Sequence, residues 1–269
     1  MKTQLKRFSP IILAILAVCL MGVVSVRAQG GARVRVVHAW PGPQNLDIYF
    51  EGNLLFPGLP YGGVSGYTPV PAGNQVVRVL PAGVSLGNPP LIEPTFSFAD
   101  GRDHTLLILP NEIQPLEDDN SLPEPGQARI RIIHASPDAP ALDICRAGTG
   151  ECIFTNLTFR SNTGYLTLEA ATYNIDIRQT GTNTVLLNIS DLRLADQGVY
   201  SAFIVGFFQG SPGLQLLTGI PDTGQPPPLP PTTGAFLSPP ALILVMIVGL
   251  GLAGGFWLAR RRSTRVQHL

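Results

Sequence analysis

Lysine is almost missing from this chain of 269 residues: Lys2 and Lys6 are the only two. All eighteen acidic residues lie between Gln29 and Ala259, where ten Arg oppose them, so this region carries 10 − 18 = −8. Phosphate binding needs a surplus of Lys and Arg, so nucleic acid is excluded as a partner. An acidic surface instead serves solubility. Cysteine is nearly as scarce, with Cys19, Cys145 and Cys152 alone. No further Cys or His follows the last two at ligand spacing, so neither a metal site nor a cofactor is assigned. The chain also lacks G-x-S-x-G, H-E-x-x-H and a phosphate-cradling glycine loop, and with them the common signatures of catalysis. No amphipathic stretch is long enough for a soluble helix. What remains abundant is Gly (29) and Pro (26), which suits a turn-rich β protein.

The chain says its main sentence twice. Ala32 to Ile48, ARVRVVHAWPGPQNLDI, returns as Ala128 to Ile144, ARIRIIHASPDAPALDI, at an offset of 96. GYTPVPAG from Gly66 aligns with GYLTLEAA from Gly164, and FSFADGRDHTLLIL from Phe96 with LRLADQGVYSAFIV from Leu192. The repeat therefore spans whole domains. Within each copy Arg alternates with Val or Ile: Arg33 and Arg35, then Arg129 and Arg131, share one face of a strand, and the aliphatic residues share the other. The reading is one face to the core and one to water. Pro41, Pro43, Pro137 and Pro140 belong to the connection that follows, because proline cannot donate to a ladder.

The run HASPDAPALDI of the second copy, followed by a Gly-Tyr strand and a later Ala-Asp turn, resembles the bacterial family called domain of unknown function 4397. The first copy departs from it, with Trp40 for Ser and Gly-Pro-Gln-Asn for Asp-Ala-Pro-Ala. The resemblance covers roughly residues 32 to 220 as a tandem pair. It implies an extracytoplasmic β-sandwich module of the kind found on surface proteins, and it brings no established activity.

The expected fold is all-β: two similar antiparallel β-sandwich domains in tandem, plus a C-terminal transmembrane helix. Residues 1–28 read as a signal peptide, with Lys2, Lys6 and Arg7 before an apolar run and Val26-Arg27-Ala28 before Gln29. A lipoprotein reading at Cys19 is the lesser one, since bulky Val18 precedes it. Residues 29–112 form the first repeat, 113–127 a polar, Pro-rich linker, and 128–220 the second repeat. Expected strands in the first repeat include Tyr67 to Val70, Gln75 to Leu80, Thr95 to Phe98 and His104 to Leu109, with a hairpin turn at Gly52-Asn53. The linker's Glu117, Asp118 and Asp119 read as a solvated charge run, because they lack the alternating ligands of a calcium loop.

Residues 221–240, with QPPPLPPTTG at their centre, are a semi-rigid stalk. Ala241 to Ala259 is an apolar span of about 28 Å as a helix, enough to cross a hydrocarbon core. Arg260, Arg261, Arg262 and Arg265 in the tail 260–269 put that end in the cytoplasm and the domains outside. Pro230-Pro231-Thr232-Thr233-Gly234 resembles a sortase sorting signal but fails the L-P-x-T-G pattern at its first position, so a retained anchor is the simpler reading. The partners expected are the membrane and a cell-wall, glycan or protein ligand.

Cys145 and Cys152 flank the turn-like insert RAGTGE and, outside the cell, are expected to be bridged. The recurring polar residues are the candidate site: His38 with Asp47 and His134 with Asp143, nine apart in both copies. An Asp that fixes an imidazole tautomer is half of a nucleophilic or metal arrangement. The other half is absent, and the favoured reading is a structural one, a buried His satisfied by a strand-end carboxylate or backbone group. Trp40, in the first Pro-rich loop, is a further candidate for stacking on a ligand. The functional expectation is a surface protein for binding or adhesion without catalysis. The alternatives are a passive envelope spacer, or a hydrolase built on the His-Asp pairs.

Overall fold

The computed structural model describes residues 31–42 and 45–218. The leader, Cys19, the stalk, the sorting-signal stretch, the span Ala241 to Ala259 and the basic tail lie outside the described residues. Among the described residues no helix is long and apolar enough to cross a membrane.

These residues are all-β. The first module holds β1 (Gly31–His38), β2 (Leu46–Phe50), β3 (Asn53–Leu59), β4 (Thr68–Pro71), β5 (Gly73–Pro81), β6 (Thr95–Phe98), β7 (Asp103–Leu109) and β8 (Glu112–Asp118). The second repeats them as β9 (Gln127–His134), β10 (Leu142–Arg146), β11 (Cys152–Leu157), β12 (Leu166–Glu169), β13 (Thr172–Gln179), β14 (Val185–Arg193), β15 (Val199–Val205) and β16 (Gln215–Thr218). Each module has two four-stranded sheets, ordered β4-β1-β7-β8 and β3-β2-β5-β6 in the first, and β12-β9-β15-β16 and β11-β10-β13-β14 in the second. One core lies between each pair of sheets. Val34, Val36, Leu106 and Ile108 of one sheet meet Ile48, Phe50, Val77 and Val79 of the other, and Ile130, Ile132 and Ile204 likewise meet Ile144, Ile175 and Ile177.

Three expectations need correction. The sandwiches are not wholly antiparallel, since β1 runs parallel to β7 and β9 parallel to β15. The whole second sheet intervenes between those partners in sequence, which leaves room for a crossover connection. The linker expected over 113–127 begins with strand β8, paired with β7 along its full length, so only residues 119–126 connect the modules. Its charges and Pro115 hid the strand, and Pro115 is tolerated there because β8 is an edge. The β2–β3 turn is Glu51-Gly52, one residue earlier than read, since Phe50 pairs with Asn53. Both turn residues have positive φ, 46° and 78°, as the favoured two-residue hairpin turn requires.

The alternation of β1 has a consequence that changes the architecture. Val37 and Ala39 continue the Arg face, and they are fully buried, as are Leu107 and Leu109 on the same face of β7. They meet Ile133, Ala135, Phe203 and Val205 of the second module in a third apolar cluster. The two sandwiches therefore pack face to face through the β1–β7 and β9–β15 sheets. Strands β7 and β15 are buried at every residue because each serves two cores. The loops after β3 and β11 complete the clasp reciprocally. Tyr61 and Val64 of the first module join this cluster beside Leu217 of β16. In return, Gln114 of β8 donates to the Arg160 carbonyl at 2.7 Å, and Glu112 pairs with Arg160 at 2.7 Å.

Candidate functional site

The His-Asp pairs do not come together, and each His is instead buried and satisfied by a backbone carbonyl, the favoured structural reading. His38 and His134 are fully buried at the strand ends. Nδ1 of His38 lies 3.2 Å from the Leu59 carbonyl, whereas in His134 it is Nε2 that lies 3.1 Å from the Pro140 carbonyl. A carbonyl only accepts, so the protons sit on opposite nitrogens in the two copies. Nδ1 of His134 then accepts from the Ser136 amide at 3.3 Å. Burial holds both imidazoles below their ordinary pKa, and so neutral.

Asp47 and Asp143 bond elsewhere, and to equivalent places. Asp47 accepts from the amides of Gly58 (2.7 Å) and Gly83 (2.8 Å). Asp143 accepts from the amides of Asn156 (2.8 Å) and Gly181 (3.3 Å) and from the Thr180 hydroxyl (2.7 Å). All four amide donors sit at positive φ. The carboxylate thus pins two tight backbone turns to one strand, which accounts for the repeated Leu-Asp-Ile. Trp40 is half-buried and packs against the first core. Cys145 and Cys152 are joined in a disulfide across the β10–β11 hairpin.

The polar residues that the topology does assemble are the Arg pairs, and here the expected water-facing surface is corrected. Arg35 is 2% exposed, beside Tyr67, Thr105 and Asp118 of its own module, and Arg131 is 3% exposed, where Glu117 and Asp118 of the opposite module meet it. Each donates through Nε to the hydroxyl at the matching position of its neighbouring strand, Thr105 at 2.7 Å and Ser201 at 2.9 Å. Both converge on Asp118, which Arg35 approaches to 3.7 Å and to which Arg131 donates directly across the junction. Asp118 also accepts from Thr105 and Tyr67. The outer Arg residues take separate partners: Arg33 forms a two-point pair with Asp103, and Arg129 bonds Asp119 at 2.7 Å. Arg33 and Arg35 lie over the Tyr67 ring, and Arg129 and Arg131 over Tyr165. Sequence reasoning missed this cluster. Its signal was present in the Arg-x-Arg and Gly-Tyr pairs kept in both copies, since a merely solvated face needs no repetition.

The junction is symmetric in its Arg and Tyr residues but not in its carboxylates. The Tyr67 phenol is held by Asp118 and by Asn120. Tyr165, its counterpart, lies under Arg129 and Arg131 and lines an open cavity of about 380 Å³. Leu116, Glu117 and Asp119 of the first module form one side, Asn162 and Tyr165 of the second the other, and Arg131 lies in the lining.

Fold and junction together define a class: an all-β protein of two repeated sandwich modules docked into one body. Residues 32–145 match the family model described as domain of unknown function 4397. The match is a single one and runs from β1 to β10, covering the first module and the opening of the second. No curated protein matches the chain. Solved structures with some likeness include the C-terminal domain of AlgF from P. aeruginosa, 14% identical, with a TM-score of 0.26, covering 35% of this chain and 94% of that one. The TIE protein of Bacillus anthracis is 14% identical, with a TM-score of 0.20, covering 66% of this chain and 33% of that one. The family CBM26 module of Amy13K from Eubacterium rectale, solved with maltoheptaose, is 13% identical, with a TM-score of 0.22, covering 72% of this chain and 99% of that one. Similarities this low carry no argument about function.

Proposed function

We propose that this chain is a membrane-anchored extracytoplasmic surface protein whose two modules act as one rigid head for binding or adhesion, without catalysis. The observation that carries the reading is the junction: a buried charge cluster and an apolar cluster lock the modules together and leave a cleft to which both contribute. Clefts between domains are common seats of ligands. The leader, the Pro-rich stalk and the apolar span before an Arg-rich tail support the placement outside a membrane.

The test uses cells producing the full chain. Protease added to intact cells should remove the head, and cells lacking the protein should lose attachment to an envelope, glycan or protein surface. A head protected until lysis overturns the placement. A head that is exposed yet retains no surface in attachment assays leaves the spacer function in its place.

A further inference from the structure

We infer that the end of the head opposite its chain termini is a pairing surface for a second copy of this chain, with Phe208 at the point of contact. This rests on the proposed binding function and names its partner.

Strand directions define the two ends. Strands β1 and β9 point the same way: Arg131 and Arg129 of β9 meet Asp118 and Asp119 where β8 ends, and Arg160, after β11, meets Glu112 where β8 starts. Gly31, the connection 119–126 and Thr218 therefore lie together at one end, the base. Loops 39–42, 60–64, 82–90 and 110–111 of the first module, and 135–141, 158–162, 180–184 and 206–214 of the second, lie at the other end, the tip.

Charge is split between these ends. The turns at the base carry Glu51, Asp100, Asp119, Glu124, Glu151 and Asp196 against Arg102. Among the described residues the tip loops carry Asp138 and Arg160 alone, and both are engaged. Asp138 accepts from the amides of Phe208 and Gln209 at 2.7 and 3.0 Å, and Arg160 pairs with Glu112 at 2.7 Å. The rest of the tip is Gly, Pro, Ser, Thr, Asn and aromatic residues, and loops of that kind recur where proteins bind proteins.

Loop 206–214 supplies the contact point. Its counterpart in the first module is the two-residue turn Pro110-Asn111, so the second copy has an insertion here. Asp138 fastens the outer part of the loop, and the Phe207 amide donates to the Pro212 carbonyl at 2.9 Å. Gly206 has φ 93°, and a Cβ there would run into the Gly213 carbonyl, so the two arms of the loop meet closely. The loop is ordered before any contact, and it holds the Phe208 side chain 37% exposed. An aromatic residue fixed in this way loses little freedom on binding and suits the centre of an interface.

Charge also selects the partner. The region from Gln29 to Ala259 carries −8, so two copies repel when they approach side by side. A basic partner is drawn to the base, and an acidic one meets at the tip only an Arg160 that is already paired. The tip fits an uncharged surface, and the tip of a second copy is one. Meeting end to end also keeps the two acidic bases farthest apart. Pairing of one surface with itself is closed, so the association stops at two copies. With the anchors at the bases, the paired heads would join two facing membranes.

The experiment uses the full chain reconstituted in phosphatidylcholine vesicles of two colours, with protein-free vesicles as the partner in a parallel arm. Clustering is read as two-colour coincidence for wild type, Phe208→Ser, Phe208→Glu and Ala99→Glu, with thermal unfolding of each as a folding control. Protein-bearing vesicles should cluster with one another and not with bare ones. Phe208→Ser should raise the protein density needed by about tenfold or more, and Phe208→Glu should abolish clustering. Ala99→Glu, which adds the same charge at the base, should cluster like wild type. Raised salt should leave clustering intact, since screening weakens the repulsion between acidic bodies and spares an apolar contact. Wild-type vesicles that stay apart, equal clustering with bare vesicles, clustering retained by Phe208→Glu or equal loss in Ala99→Glu each overturn the inference. If the vesicles stay apart while cells producing the chain still attach to another surface, the pairing tip is dismissed and the binding head stands.

Discussion

Asp118 sits between two guanidiniums where water does not reach. Its side chain is 0% exposed, those of Arg35 and Arg131 are 2% and 4%, and the three groups compensate one another's lost hydration. Asp118→Asn strands two buried guanidiniums with a neutral amide, and removing one member of such a cluster costs about 3–5 kcal/mol. Asp119→Asn removes an ion pair whose carboxylate is 58% exposed, and solvent screening limits that loss to about 0–1 kcal/mol. Urea unfolding of the two variants should separate them by that margin, and equal losses would mean that Asp118 is not the keystone. The histidines give a second prediction. Nitrogen-15 shifts should report an Nδ1-protonated ring at His38 and an Nε2-protonated ring at His134. Burial lowers the pKa of both, and of His104, below the ordinary 6.5. The unfolded chain therefore takes up protons first as pH falls below about 6.5, so stability is full above that value and declines beneath it. A second decline begins near pH 4. Asp143 and Asp176 are held below their ordinary 3.8, Asp143 by hydrogen bonds that outweigh its burial and Asp176 by Arg178 and Asn188, so protonation below that value removes their contribution. Unfolding free energy that stays flat from about pH 7 to pH 5 would contradict the neutral, buried imidazoles.

At the scale of elements, the disulfide belongs to the β10–β11 hairpin, and Cys145 pairs with Cys152 in register. It closes a loop of sequence separation 7, so its loss in the paired Cys→Ser variant should cost about 2–3 kcal/mol, read as a lower denaturation midpoint. No such staple exists in the first module, where Tyr49 stands at the equivalent place. The hairpin, the strand set and the bridge were legible because they are local: alternation marks a strand, Gly and Pro mark its ends, and two Cys across a short insert mark a bridge. Thr95 to Phe98 was placed to the residue. Strand β8 was not, because an edge strand tolerates Pro115 and the acids Glu117 and Asp118 that read as linker. The His-Asp contact, the lesser of the two readings of these residues, is absent for a related reason. Spacing on neighbouring strands fixes Cα positions, whereas the carboxylates turned to backbone amides in positive-φ turns that no side-chain pattern announces. The Arg face was misread because period two shows which residues share a face and says nothing of what covers it.

The whole molecule behaves as a pair of modules fused at a surface that neither can leave exposed. Apart, the second module would present Ile133, Phe203 and Val205 together with Arg131, which lacks a carboxylate of its own, since its partner Asp118 belongs to the first module. The first would present Val37, Leu107 and Leu109 with the same Asp118. Each face is complementary to the other in shape and in charge, and the connection over residues 119–126 is short. Two fragments cut within that connection should therefore reassemble without it, eluting together at equal stoichiometry in gel filtration. Arg131→Met in the second fragment leaves Asp118 less compensated and should weaken reassembly by about 2–5 kcal/mol. Gln114→Ala removes one exposed bond to the Arg160 carbonyl and should cost about 1 kcal/mol. Fragments that stay apart and remain monodisperse would show that the covalent connection, and not the buried face, holds the head together. The inter-module cleft would then be no fixed feature, because Asn162 and Glu117 come from opposite sides of that face and keep their spacing only while it is closed.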